Sequence, residues 1–400
     1  MYNIISLTEK YLPRIENAES YLKSLCHKKA TSLYGNIPLV VQNRIDSEIK
    51  YLKQNNDLIL MTIFAKVMEN KKIQPYMIYT QSKLTYSIIS YLVGITKANP
   101  LKPHYRCPKC HFTDFNTNKY NTKIGFDLPD KVCPSCGKNL IKDGFSLDNI
   151  FLFGNNKSLN IELKVPSYLK EHIIEIIESI SGVGKVIDLP NQWKEYKSKN
   201  CNEKVIIPSY LDCKNILDIN KNSLYTFRLL SNKIIEEVKY KEQNISSIPF
   251  DEKKYINYYT KHKNIIMCRE KELEVINACN PHTISDIMKV MALSINNTWN
   301  NIGKYLIKNN LATIKTIIST RDDILELLSV SGVPYEQSLE IISESKWKNL
   351  SEKHRKILLK YNIPQWCIEF CNKNGFLWDR GCIAEIMMLN WLSLCLNNDK

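Results

Sequence analysis

The sequence predicts an α+β chain built from several parts: a helical N-terminal region, a segment held by cysteines, a small α/β unit and an all-helical C-terminal third. Three observations predict it. Apolar residues recur at three- and four-residue steps towards both ends, they alternate at period two in the middle, and two close pairs of cysteines lie between. With 400 residues the chain is long enough for two or three cores, and 44% apolar with 24% charged residues excludes a disordered or collagen-like polymer.

The first part, residues 1–98, places Val40, Val41, Ile45, Ile49 and Leu52 along one face of a helix on a charged background. Pro100, Pro103 and Pro108 end that pattern and open the second part, residues 99–145. In the third, residues 146–280, Ile161, Leu163 and Val165 alternate with Asn160, Glu162 and Lys164, as on a half-buried strand. A helix with Leu169, Ile173, Ile177 and Ile180 on one face follows, with Gly182 and Gly184 past its end. Val205-Ile206-Ile207 and Ile216-Leu217-Asp218-Ile219 read as further strands. From Pro281 to the end, residues 281–400, the spacing is helical, broken at Gly332-Val333-Pro334 and Ile363-Pro364. The most apolar stretch, Cys382 to Leu396, carries Glu385 and Asn390 and is shorter than the roughly 18–20 residues of a membrane span, so it reads as a buried helix.

The opening Met1-Tyr2-Asn3-Ile4-Ile5-Ser6 lacks the basic-then-apolar order of a signal peptide, which makes a cytoplasmic location and no membrane partner the expectation. In a reducing compartment thirteen cysteines favour metal ligation over disulfides. The formal charge is +14, and residues 281–400 hold fourteen Lys and Arg against twelve Asp and Glu, so +12 belongs to residues 1–280. Such an excess suits a polyanion, because each neutralised phosphate releases condensed counterions. The alternative is a coding bias towards Lys, Asn and Ile.

Cys107-Pro108-Lys109-Cys110 and Cys133-Pro134-Ser135-Cys136-Gly137 form two CPxC knuckles. Each turns two thiolates to one side, and four thiolates complete tetrahedral zinc with no position left for substrate, so the expected zinc is structural. His104 just before them is then expected to pack rather than ligate. Gly182-Val183-Gly184-Lys185 resembles half of a phosphate loop but reads as a helix stop. Lys194, Lys197, Lys199 and Lys204, interleaved with Trp193 and Tyr196, are either a DNA-facing patch or a solvated loop.

The run Asn99 to Cys110, with Gly125 to Gly137 and Lys142-Asp143-Gly144, resembles the zinc module of PolC-type DNA polymerase III alpha subunits, the bacterial C-family replicative polymerases. Ala278 to Ser294, Thr320-Arg321-Asp322-Asp323-Ile324, Asn362 to Trp366 and the final helix resemble that family's fingers domain. The resemblance implies a reduced nucleotidyltransferase-like palm in residues 146–280 and a fingers-like domain in residues 281–400, with a deletion inside the palm. It also implies template-directed phosphoryl transfer through two Mg or Mn ions held by three carboxylates. At the family's two strand aspartates this chain has Asn160 and Glu162, and the third carries over to Asp218; Asp212 or Asp188 are further candidates. Asparagine adds no charge and glutamate shifts its carboxylate by a methylene.

The family's Gly-Arg-Gly-Ser triphosphate loop corresponds to Thr80 to Ser87, leaving Gln81, Ser82 and Lys83 as degenerate contacts. A Pro-Lys-Ala-His run in the fingers is replaced by Trp378-Asp379-Arg380-Gly381, whose carboxylate is expected to repel a triphosphate, and a His-Gly-Thr-Asp-x-Trp run by Ile295 to Trp299. The losses thus fall on metal and nucleotide positions while framework residues persist. Three readings remain: a catalytically inactive polymerase-like protein that binds DNA or a replisome protein, a reduced but active polymerase using Glu162 and Asp218, and a regulator or decoy of a host polymerase that binds protein only. The oligomeric state stays open.

Overall fold

The computed structural model describes residues 11–153, 159, 161–190, 203–211, 224–231, 250–261, 269–295, 298–345, 350–373 and 377–397. Its first layer is helical: α1 (Ala18–Tyr34), α2 (Leu39–Gln54) and α3 (Leu58–Met68). Helix α2 starts after Pro38 and buries Val41, Ile45, Ile49 and Leu52, with Val40 left exposed. Helix α3 buries Leu60, Met61, Ile63, Phe64, Ala65 and Val67, residues from all sides of the helix, because it lies between the other helices and a sheet. A short α4 (Ile88–Leu92) follows a 3-10 turn over Lys83–Tyr86.

Two small sheets follow. The cysteine segment contains β1 (His104–Arg106), β2 (Thr113–Asp114) and β3 (Ile141–Asp143), antiparallel in the order β2-β1-β3. After α5 (Ile150–Phe153), the second sheet comprises β4 (Ile161–Val165), β5 (Val183–Asp188), β6 (Glu203–Pro208) and β7 (Tyr225–Ser231) in the order β4-β7-β6-β5. Helix α6 (Lys170–Glu178) lies between β4 and β5, and Gly182 turns the chain after it with a φ of +91°. A Cβ there would come within 2.2 Å of the Arg14 carbonyl oxygen, so Gly182 is a helix stop at a close approach and not half of a phosphate loop.

The alternation expected for Ile161, Leu163 and Val165 is present: all three are buried, and Glu162 and Lys164 face away from them. Their buried face, with Phe227 and Leu229 of β7, packs on α3, where Phe64 meets Phe227 edge-on with ring centroids 5.3 Å apart. Strand β7 was not anticipated, although Tyr225, Phe227 and Leu229 alternate with Thr226 and Arg228 in a readable period-two pattern. The expected strand Ile216 to Ile219 lies outside the described residues.

Helices α7 (Glu252–Lys261), α8 (Arg269–Cys279), α9 (Ile284–Ser294), α10 (Lys304–Lys308), α11 (Arg321–Val330), α12 (Tyr335–Ser345), α13 (Glu352–Lys360), α14 (Gln365–Lys373) and α15 (Arg380–Asn397) complete the chain. Capping boxes start α9 at Thr283 with Asp286 and α11 at Thr320 with Asp323. Leu22, Phe64, Ile161, Phe227, Met291 and Ile383 belong to one continuous core, whereas Tyr105, Cys107, Leu128, Cys133 and Leu140 form a small core of their own. Among the described residues no helix is long and apolar enough to cross a membrane.

Candidate functional site

The four cysteines of the knuckles converge. The Sγ atoms of Cys107, Cys110, Cys133 and Cys136 lie within 4.8 Å of one another, with Cys107 to Cys136 and Cys110 to Cys133 both at 3.4 Å. The local sequence makes this happen: in each knuckle the second backbone turn closes on the first cysteine, as Cys107 N donates to Phe112 O at 2.7 Å and Cys133 N to Lys138 O at 2.7 Å. The N–H groups of Cys110 and Lys109 point at Cys107 Sγ, both at 3.4 Å, and these donors bring its thiol down to about 6. An all-sulfur tetrahedral set fits zinc. Among the described residues no other group of three or more Cys, His, Asp or Glu side chains converges in this way.

His104 packs, as expected. It is fully buried, stacks on Phe115 at 4.3 Å, donates from Nδ1 to Lys102 O at 2.7 Å and so accepts at Nε2 from Tyr34 OH at 3.3 Å. Burial lowers its pKa, which keeps the ring neutral. Asn99 donates to Tyr34 OH at 3.1 Å and to Asp143 Oδ2 at 3.0 Å, and Arg106 reaches the same Asp143 oxygen at 3.1 Å. This buried polar network ties the cysteine segment to α1.

On the second sheet, Glu162 registers directly against Arg228 of the parallel neighbour β7, with Nη1 to Oε2 at 3.6 Å. Two residues on, Lys164 lies on the same face, hydrogen-bonds Gln81 Oε1, and sits 5.2 Å above the Tyr79 ring. Burial lowers the Lys164 pKa against the pull of Glu162. The segment before the 3-10 turn forms the edge beside β4: Tyr79 and Lys164 exchange backbone hydrogen bonds at 3.1 and 2.7 Å, and Thr80 Oγ1 donates to Glu162 O at 2.7 Å. Thr80 is therefore a neighbour of Glu162, and Gln81 of Lys164.

The donors that follow this loop are already taken. Glu48 of α2, fully buried, accepts from Ser87 Oγ at 2.7 Å, Ile88 N at 3.0 Å and Ile89 N at 3.3 Å, and pairs with Arg44 at 2.7 Å. The turn also meets the C-terminal helices. Tyr86 OH donates to Asp322 Oδ2 at 2.7 Å, and the same oxygen accepts from Arg380 N at 2.8 Å. Burial raises the Asp322 carboxyl to about 6. Asp323, a little less buried, goes the other way: burial is outweighed by Lys289, Arg380 and the Ser319 donors, which bring it to about 2. A Cβ on Gly381 would come within 2.4 Å of Thr85 Oγ1, so glycine is what lets α15 seat on the turn. Further along α15, Glu385 is clamped by Lys97 Nζ at 3.1 Å and by the backbone N–H groups of Lys97 and Ala98 at 2.7 and 3.1 Å.

No family model matches the chain. It is 24% identical over 464 aligned positions to the DNA polymerase III PolC-type of Clostridium perfringens (strain 13 / Type A), covering 95% of this chain and 32% of that protein. Identity to the DNA polymerase III PolC-type of Bacillus subtilis (strain 168) is 22% over 463 positions, and to that of Mycoplasmopsis pulmonis (strain UAB CTIP) 23% over 465, each again covering 95% of this chain and 32% of the relative. The chain is a PolC-like relative. It spans about a third of the length of the curated relatives it matches, and the alignments are longer than the chain itself, so the matched region of these relatives contains segments that this PolC-like chain lacks.

Of the carboxylate positions expected in a PolC-like palm, Asn160, Asp212 and Asp218 lie outside the described residues. Asp188 is on β5, at the opposite edge of the sheet from β4, and pairs with Lys204 at 2.7 Å. Three strand spacings put it about 14 Å from Glu162, which corrects the idea that it joins that site. Among the described residues the charged side chains beside Glu162 are a guanidinium and an ammonium, not the further carboxylates of a two-metal centre. Asp379 also needs correction: it is not a bare charge facing a triphosphate but is paired with Arg321. Arg380 is likewise spent, on Glu326 at 2.7 Å and Asp323 at 2.9 Å. Lys204 is paired with Asp188, and Lys194, Lys197 and Lys199 lie outside the described residues. Sequence reasoning missed Arg228 and Glu48. The period-two pattern of β7 would have exposed Arg228; nothing local marks Glu48.

Proposed function

We propose that this PolC-like chain serves DNA replication by holding DNA without adding nucleotides. The observation that carries the reading is Glu48. In a loop that binds triphosphate, the backbone N–H groups at the start of the following helix face the phosphates. Here the N–H groups of Ile88 and Ile89 and the Ser87 hydroxyl are bound by a carboxylate of the chain itself. A triphosphate arriving there would have to displace a buried anion paired with Arg44. The hydrogen bond from Tyr86 to Asp322 supports the same reading, because it ties the degenerate loop to the fingers-like helices. The +12 of residues 1–280 supports DNA backbone as the partner. The structural zinc at Cys107, Cys110, Cys133 and Cys136 would hold the ribbon without entering any reaction.

Two measurements on the full chain test this. Primed DNA should be retarded at low salt and released steeply as salt rises, and primer extension with either Mg²⁺ or Mn²⁺ should give no product. Extension that Asp218→Ala abolishes would establish an active polymerase instead. Failure to retard DNA, together with capture of a purified replisome protein, would establish the protein-binding reading.

A further inference from the structure

We propose that the sheet face around Glu162 holds a phosphate of primed DNA through Arg228 and Lys164, protein cations standing where polymerases of this kind would hold divalent metal, so that DNA binding needs no Mg²⁺ or Mn²⁺. The inference rests on the DNA-holding function proposed above and adds where and how the backbone is gripped.

The register of the sheet carries it. Pairing of β4 with β7 is parallel, and Glu162 lies opposite Arg228, so both side chains project from one face. Their contact, 3.6 Å, is longer than a hydrogen-bonded ion pair, and the arginine side chain remains 43% exposed. A guanidinium has five N–H donors in a planar fork, so a carboxylate on one edge leaves donors for a phosphate on another. Lys164 adds a second cation two residues from Glu162 on that face, and its ammonium has two protons beyond the one given to Gln81. Among the described residues the carboxylates in register with Arg228 are Glu162 itself and Glu203, which pairs on the other side of Arg228 and is 8% exposed. They orient Arg228. A divalent ion, by contrast, would have to sit against a fixed positive charge. Charge complementarity therefore selects an anion for this face, and the positively charged first two thirds of the chain make a nucleic-acid phosphate the fitting one.

Fluorescence anisotropy with a primed duplex, in chelator-free buffer without Mg²⁺ or Mn²⁺ and in Mg²⁺ at several salt concentrations, tests the inference. Wild-type affinity should be the same with and without metal once ionic strength is matched. Arg228→Ala and Lys164→Ala should each weaken binding about fivefold to tenfold and reduce the slope of log affinity against log salt by about one. Arg228→Lys, which keeps the charge, should retain the wild-type slope, and circular dichroism should report the same fold for all three variants. Loss of wild-type binding when Mg²⁺ and Mn²⁺ are absent overturns the inference, as do alanine variants that bind like wild type. In the latter case DNA holding itself survives, whereas a wild type that ignores DNA at low salt removes both.

Discussion

The cysteine knuckles and the face around Glu162 are both clusters of potential metal ligands, but they are balanced differently. At the knuckles four sulfurs gather within 4.8 Å with no cationic side chain among them, an arrangement that calls for a positive ion. At Glu162 the countercharge is already part of the chain: Arg228 comes from the neighbouring strand and Lys164 from the same one. Like charges brought together need an ion, and a carboxylate facing a guanidinium does not. The same logic explains Glu48, whose buried carboxylate is met by Arg44 and three donors from the start of α4.

The largest effect that would sharpen this contrast is at the four cysteines. Cys133→Ala should lose the metal, detected by elemental analysis, and should open the ribbon to proteolysis, since zinc supplies on the order of 10 kcal/mol to small domains of this kind. Wild-type protein purified without zinc and with an intact ribbon would break the comparison. Next comes Glu48→Ala, which leaves the N–H groups of Ile88 and Ile89 and the Ser87 hydroxyl without their acceptor, while Arg44 keeps its bond to Tyr86 O; a loss of about 2–3 kcal/mol in urea unfolding is expected. Glu48→Gln should cost less because an acceptor remains. A neutral outcome for the alanine variant would mean that water replaces the carboxylate freely.

A smaller effect concerns pH. The folded value of Asp322, about 6, lies above the ordinary 3.8, so the folded chain binds this proton more tightly than the unfolded one. Its contribution favours folding below about pH 4 and declines as pH rises to about 6, by roughly 2–3 kcal/mol. Asp323, at about 2, has the opposite sign and loses its contribution only as pH falls below 4. Asp322→Asn should therefore gain relative to wild type between pH 4.5 and 7.5 in thermal melts; parallel profiles would show that Asp322 is ionised throughout. Smallest is Asp188→Asn. Its exposed pair with Lys204 is worth at most about 1 kcal/mol, and metal binding should not change.

Much of this was legible in the residues. The CPxC pairs needed only local turns to converge, the alternation of Ile161, Leu163 and Val165 fixed which face of β4 is buried, and the apolar run from Cys382 became the buried helix α15. Charge assignments were less legible. Asp379 reads as an exposed repulsive group until Arg321, 58 residues earlier, is found beside it. Glu385 in an apolar helix looks like a defect until Lys97, 288 residues away, closes on it. Asp188 and Glu162 are both acidic and both on strands, and only the strand order separates them.

By itself the sequence determined the α+β composition, the four-cysteine cluster and the likeness to PolC-type polymerases, because turns, periodicities and motifs are properties of neighbouring residues. Only the tertiary structure decided that Arg228 stands opposite Glu162 and that Glu48 occupies the start of α4. Those contacts join segments distant in the chain, and the sign of an electrostatic site depends on which partners the fold brings within a few ångströms, where Coulomb energies become large.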